Sequence, residues 1–219
     1  MGEYPGQAVL LLLMASTLAE RVERLTEGVD GSHDFAHIRR VVVNALRLCK
    51  EEALSPADTR LCIAAAYAHD LDDKKYGGTD GLSRARAVLA EAAEAYTQEE
   101  VEAICTIIGG VSFTGERAAA GAGAAGGAPC DRLTACVQDA DRLDAIGAHG
   151  IARCFCFGGS RSRPLAESVQ HFHDKLLLLR DMMKTPAGRR AAEERHAYML
   201  AFLAQLEAES AGSSQTQST

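Results

Sequence analysis

The chain has 219 residues, 47% of them hydrophobic and 24% charged, which suits one globular domain with a real core. Aromatic residues make up 5%, Trp is absent, and Ala and Leu abound, a balance that favours helices over sheets. The formal charge of -7 supplies no global basic field for DNA, RNA or an anionic membrane. No apolar stretch approaches the length of a membrane span. The seven cysteines are odd in number and contain no C-x-x-C pair. Cys154 and Cys156 are too little for a zinc site, so the thiols are expected to be reduced, as in a cytoplasmic protein.

In chain order, the short apolar run Ala8–Ala15 predicts a first amphipathic helix with Leu10, Leu11, Met14 and Leu18 on its buried side. Glu27–Ser32 is a Gly-containing turn. His33–Glu52 reads as a helix, because Phe35, Ile38, Val41, Val42, Ala45, Leu46 and Cys49 recur at three- and four-residue steps. Ser55-Pro56-Ala57-Asp58 is a helix start, and that helix runs to His69-Asp70. Leu71–Gly81, rich in Asp, Lys and Gly, is a loop carrying polar groups straight off a helix end. A helix over Leu82–Ala95 follows, and Thr97–Glu100 is a capping box opening another helix to about Ile108. The Ala/Gly insert 117–129 has nothing large to bury and is expected to be a mobile loop. A helix over Asp131–Ile146, a basic loop at Gly158–Arg163, and two closing helices at Leu165–Lys184 and Pro186–Glu209 complete the domain. The polar tail 210–219 is expected to be disordered. The fold class is therefore all-α, a single helical domain over residues 1–209.

The chemistry centres on four side chains. His69-Asp70 ends an otherwise apolar helix, a weak signal alone. His37 aligns with Val41, Asn44 and Leu48, so it points inward near polar Asn44. Asp141 aligns with Leu133 and Val137, so its carboxylate faces the apolar side, where an unpartnered charge costs on the order of several kcal/mol. A cation is the simplest partner. Two imidazoles and two carboxylates suit Mn²⁺, Fe²⁺, Co²⁺ or Mg²⁺ and lack the thiolates of structural zinc. Such an ion keeps positions open for water and a phosphate oxygen.

The order His37, His69-Asp70, Asp141 resembles the H…HD…D signature of the HD-domain metal-dependent phosphohydrolases. The surrounding runs His33–Val41, His69–Lys75 and Gln138–Gly147 look like the three ligand motifs of that superfamily. With His171-Phe172 and Glu194-Arg195-His196, they resemble its small single-domain branch, which includes nucleotide pyrophosphohydrolases acting on deoxynucleoside triphosphates. The resemblance implies a helical bundle with a metal site between helices and His37, His69, Asp70 and Asp141 as ligands. It also implies hydrolysis of a nucleotide, in the first place a nucleoside triphosphate to monophosphate and pyrophosphate. A 5′-nucleotidase-type phosphomonoesterase and a non-catalytic nucleotide- or metal-binding module are the alternatives. The chain lacks the extra His and Glu ligands and the GYP motif of the dinuclear branch, so one divalent ion is expected, Mn²⁺ first. The Ala/Gly insert and His149 depart from the usual pattern without touching the ligands.

By the same resemblance Asp73 is the base or water-orienting group, while Lys75, with Lys74, holds a phosphate oxygen. His33, four residues before His37, shares its face and can line the pocket. Arg161, Arg163 and Lys175 offer a basic edge for a polyphosphate. Arg142 is expected in a structural salt bridge. Asp139 is a candidate to orient a ligand His, and Asp144 a surface cap or pair. The expected partner is a small nucleotide, not nucleic acid or membrane, and the sequence leaves a homodimer open.

Overall fold

A computed structural model describes residues 17–26, 35–72, 81–92, 95–111 and 131–214. Within them the chain is helical and no strand occurs. Residues 17–25 form α1, with Leu18 and Val22 fully buried. The remaining elements are α2 (Phe35–Glu51), α3 (Pro56–Ala68), α4 (Ser83–Glu91), α5 (Gln98–Gly110), α6 (Arg132–Asp144), α7 (Gly147–Ser160), α8 (Leu165–Asp174), a 3₁₀ segment (Leu176–Met182) and α9 (Pro186–Ser214).

The caps read from the sequence are present. Asp58 N donates to Ser55 Oγ at 3.1 Å, with Pro56 opening α3. Thr97 and Glu100 form the reciprocal box, with Thr97 N donating to Glu100 Oε2 at 2.9 Å and Glu100 N to Thr97 Oγ1 at 3.3 Å. Each such cap is worth about 1 kcal/mol. The α3 helix has no single apolar stripe. Cys62, Ala64, Ala65, Ala66 and Ala68 are all buried, because α2, α5 and α6 pack around it. Its small side chains let those neighbours come close, and its C-terminal end is thereby carried into the middle of the molecule. The α6 helix is also enclosed, between α2, α3, α5 and α9.

Several boundaries differ from expectation. Residues 147–160, which the sequence leaves partly unassigned and partly in a Gly158–Arg163 loop, form α7. Glycines mask its pattern, but Phe155 packs against Phe172 and Phe202 at 5.8 and 5.9 Å between ring centroids. The expected helix Leu165–Lys184 breaks at Lys175 (φ -140°) and continues as a 3₁₀ segment. There Leu176 and Leu179, three apart, are the buried pair, matching the three-residue period of that helix. The helix expected over Leu82–Ala95 is shorter, Ser83–Glu91. The last helix runs past Glu209 to Ser214, into the segment expected to be disordered. The insert 117–129 lies outside the described residues.

Candidate metal centre

Three helix segments that pack on one another in pairs, α2, α3 and α6, deliver four side chains to one point. His37 comes from the first turn of α2 and is almost fully buried. His69 caps the C-terminus of α3 and Asp70 follows it. Asp141 comes from the last turn of α6. His37 Nε2 lies 3.3 Å from Asp70 Oδ2 and 3.6 Å from Asp141 Oδ1. His69 Nε2 lies 3.4 Å from Asp70 Oδ1 and 3.7 Å from Asp141 Oδ1. The imidazoles meet edge to face, 5.4 Å between centroids. Donor atoms of His37, His69 and Asp70 all fall within 4.8 Å of one another.

Each imidazole is oriented by its other nitrogen. His37 Nδ1 is 2.7 Å from Asp144 Oδ2, and His69 Nδ1 is 2.8 Å from the Ala66 carbonyl, one of the acceptors that a helix C-terminus leaves unpaired. With Nδ1 donating in both, each ring turns Nε2 toward the carboxylates. His69 Nε2 is buried and has no hydrogen-bond partner. A buried, partnerless nitrogen facing two carboxylates is a position that suits a cation. An ion about 2.0–2.2 Å from each ligand separates neighbouring donor atoms by roughly 3.0–3.5 Å, close to the 3.3–3.7 Å seen here. The residues therefore fit a divalent ion. The exposures of 21% for Asp70 and 34% for Asp141 leave the carboxylate side open.

The electrostatics agree. Burial opposes charge on His69, but the Asp70 carboxylate and the approach of Asp141 outweigh it and lift its pKa to about 10. Burial pushes Asp141 up, yet the neighbouring His69 and His37 bring its carboxyl below the ordinary value. The two carboxylates thus favour positive charge at His69.

Asp144 has the orienting role that the sequence gave to Asp139. It is buried among three cationic or proton-donating groups: His37, Arg40 (Nε to Oδ1, 2.6 Å) and Arg153 (Nη1 to Oδ2, 2.7 Å). Burial alone would raise its pKa, but these partners hold it far below the carboxylate range. Asp139 instead accepts from Lys184 N at 2.9 Å, Thr185 N at 2.7 Å and Thr185 Oγ1 at 2.8 Å, fixing the start of α9. The signal for Asp144 lay in spacing. Asp141 and Asp144, like His37 and Arg40, are three apart and share a helix face. Arg142 donates to the Met182 carbonyl at 2.6 Å. Asp72 was not singled out. It is buried and accepts from Arg84 N at 3.0 Å and Ala85 N at 2.9 Å, tying the end of the ligand pair to α4.

His33, Asp73, Lys74 and Lys75 lie outside the described residues. Arg161 ends α7, and Lys175 ends α8 at its junction with the 3₁₀ segment. The Arg161 guanidinium sits 5.5 Å from the Phe157 ring centre, with Arg163 at 5.4 Å on the same ring, and burial together with Lys175 and Arg163 lowers the pKa of His171. Among the described residues no helix is long and apolar enough to cross a membrane.

Comparison with known proteins gives a consistent answer. The HD domain family profile matches residues 34–146, a span that includes all four candidate ligands. The chain is 36% identical over 200 residues to the Bacillus subtilis protein YpgQ, covering 90% of this chain and 93% of that one. The crystal structure of YpgQ in complex with ADP superposes with a TM-score of 0.72 at 33% identity, over 91% of this chain and 96% of that one. A crystal structure of an HD-superfamily hydrolase from Bacillus thuringiensis superposes with a TM-score of 0.69 at 31% identity, over 91% and 97%. By motif, fold and extent of match, the chain belongs to the HD domain family.

Proposed function

We propose that the chain is a divalent-metal-dependent phosphohydrolase that splits a nucleoside triphosphate into the monophosphate and pyrophosphate. The observation that carries this reading is the convergence of His37 Nε2, His69 Nε2, Asp70 and Asp141 around a point where a buried nitrogen lacks a partner. His37, His69, Asp70 and Asp141 hold the ion. The mixed nitrogen and oxygen set favours Mn²⁺, with Mg²⁺, Co²⁺ and Fe²⁺ as alternatives. A bound divalent ion supplies Lewis acidity, lowering the pKa of water and polarising a phosphoryl oxygen.

The chain's own groups do the rest. Asp144 fixes the His37 ring from behind. Asp73, directly after the anchored Asp72, accepts a proton from water as it attacks phosphorus and the phosphoanhydride P–O bond breaks. Lys75, with Lys74, neutralises the oxygens on which charge develops. His33, four residues before His37 in the sequence, is assigned to binding of the same substrate. The ADP complex of YpgQ supports a nucleotide as the ligand class.

The test is a nucleotide panel incubated with Mn²⁺ and read by product, comparing wild type with His69→Ala and Asp70→Ala whose melting midpoints are measured alongside. Pyrophosphate release by wild type, and its loss in folded variants, is the expected result. Equal activity in all three refutes the site. Orthophosphate released from a nucleoside monophosphate places the chain among phosphomonoesterases instead.

A further inference from the structure

We propose that a second site, for a phosphorylated small molecule, lies behind the metal centre in the cleft between α2, the start of α7 and α9. The cleft has a volume of about 430 Å³, within the ~300–1,000 Å³ range of small-molecule pockets. It is lined by Arg39, Arg40, Asn44, Asp144, His149 and Arg195. The His37 ring separates it from the metal centre, since Nε2 faces Asp70 and Asp141 while Nδ1 faces Asp144.

The charge balance points to an anion. Asp144 is the one carboxylate among the described lining residues, and it already serves His37, Arg40 and Arg153. Three guanidiniums line the cleft beside it, and Glu194 adds a second negative charge near Arg195, so cationic groups outnumber these carboxylates. The helix that begins here adds to the same sign. The 14-residue α7 has no side-chain cap and no acidic residue in its first turn, so the positive end of its dipole is uncompensated by its own sequence.

The site is also preorganised. Arg195 donates to the Leu143 carbonyl and, at 3.2 Å, to Asn44 Oδ1. Asn44 is tied in turn to the Ala140 carbonyl at 3.1 Å. Gly147, at φ +73°, lies against Arg195, and a Cβ there would come within 3.0 Å of the arginine Cγ, so the glycine lets the Arg195 stem pack on the start of α7. Arg40 and Arg195 are thus held as fixed positive charges, and the exposed Arg39 guanidinium offers a fork that suits the paired oxygens of a phosphate. Exposed Arg39 and His149 complete the rim, and exposed Val43 offers apolar surface for the organic part of the ligand.

The experiment is calorimetric titration of inorganic pyrophosphate, with ADP in a parallel arm, into the full chain stripped of metal with a chelator. Wild type is expected to bind pyrophosphate saturably without metal. Arg39→Ala and His149→Ala, both on exposed residues, are each expected to raise Kd at least threefold, and the pair at least tenfold, with unchanged melting midpoints. His69→Ala is expected to bind as wild type does. Absence of saturable binding overturns the proposal, as does binding that survives the paired variant or disappears in His69→Ala. ADP binding tighter than pyrophosphate assigns a nucleotide to the cleft, and equal or weaker binding assigns recognition to the phosphates alone. Both are read without metal or turnover, so failure of the phosphohydrolase reading and failure of this one are separately visible.

Discussion

Replacing Asp144 by Asn isolates the step from packing to chemistry. The carboxylate is 2% exposed and takes four contacts of 2.6–3.1 Å from His37, Arg40 and Arg153. Breaking a buried ion pair costs about 3–5 kcal/mol. Here Arg40 keeps 28% and Arg153 14% exposure, and Asn retains one acceptor oxygen, so a loss of roughly 2–3 kcal/mol is expected. That corresponds to a drop of about 5–10 °C in Tm for a chain of this size. The second consequence is at the metal. The Asn side chain can present an N–H to His37 Nδ1, the wrong polarity for holding the ring with Nε2 toward the carboxylates. Loss of such an outer partner weakens metal affinity by about 10–100-fold.

The pH dependence carries a sign. The folded Asp144 carboxyl is held below its ordinary value, so its stabilisation is fully present above the unfolded carboxylate pKa of about 3.9 and is lost only as pH falls through the lower folded value. The stability gap between wild type and Asp144→Asn is therefore expected to be constant from about pH 5 to 8 and to close in acid. Thermal melts across pH and calorimetric Mn²⁺ titrations measure both effects. A variant that binds Mn²⁺ as tightly as wild type refutes the orienting role, whatever its stability.

Other outcomes follow from the same geometry. In the metal-free protein His69, lifted to about 10, contributes stability that is complete below its unfolded pKa of about 6.5 and lost as pH rises through the folded value. Metal binding at neutral pH must then release about one proton from His69, which titrations in buffers of different ionisation enthalpy will show; no proton release contradicts it. Asp139→Ala leaves the Lys184 and Thr185 donors without their acceptor and is expected to cost about 2–4 kcal/mol, seen in denaturant melts, while Mn²⁺ affinity stays within twofold. The Cys136 thiol lowers the pKa of Cys49, but the Cys62 thiol and burial outweigh it and push Cys49 up to about 12, whereas Cys156 is exposed. Brief alkylation of the native protein at pH 8 should label Cys156 and spare Cys49 until unfolding, as peptide mass spectrometry will report.

How far the site could be read in advance depended on where each side chain's partners come from. Asp141 was legible because its own helix aligns it with Leu133 and Val137, although the structure leaves its carboxylate 34% exposed and not sealed in the core. Asp144, one turn later, looked like a helix-end surface charge. Its partners His37 and Arg40 lie more than a hundred residues earlier, so the three-residue spacing acquires its meaning only once the helices pack. The roles given to Asp139 and Asp144 were exchanged for that reason: both are buried on α6, and only packing decides that Asp139 faces the start of α9. The helix with clean periodicity, α2, and the two with caps, α3 and α5, fell where expected. The α7 helix escaped notice because Gly147, Gly150, Gly158 and Gly159 lower its propensity, although Gly150 lies against the Ala145 carbonyl and Gly158 against Ser168, where a Cβ would collide. The run Leu165–Lys184 supported one helix by composition, but burial of Leu176 and Leu179 set a tighter winding.

The most direct test of the metal centre is anomalous diffraction at the manganese edge from crystals grown with Mn²⁺. One peak is expected, about 2.0–2.3 Å from His37 Nε2, His69 Nε2 and an oxygen each of Asp70 and Asp141. Absence of a peak there at saturating Mn²⁺, or an ion bound elsewhere with His69 Nε2 still unpartnered, would contradict the account.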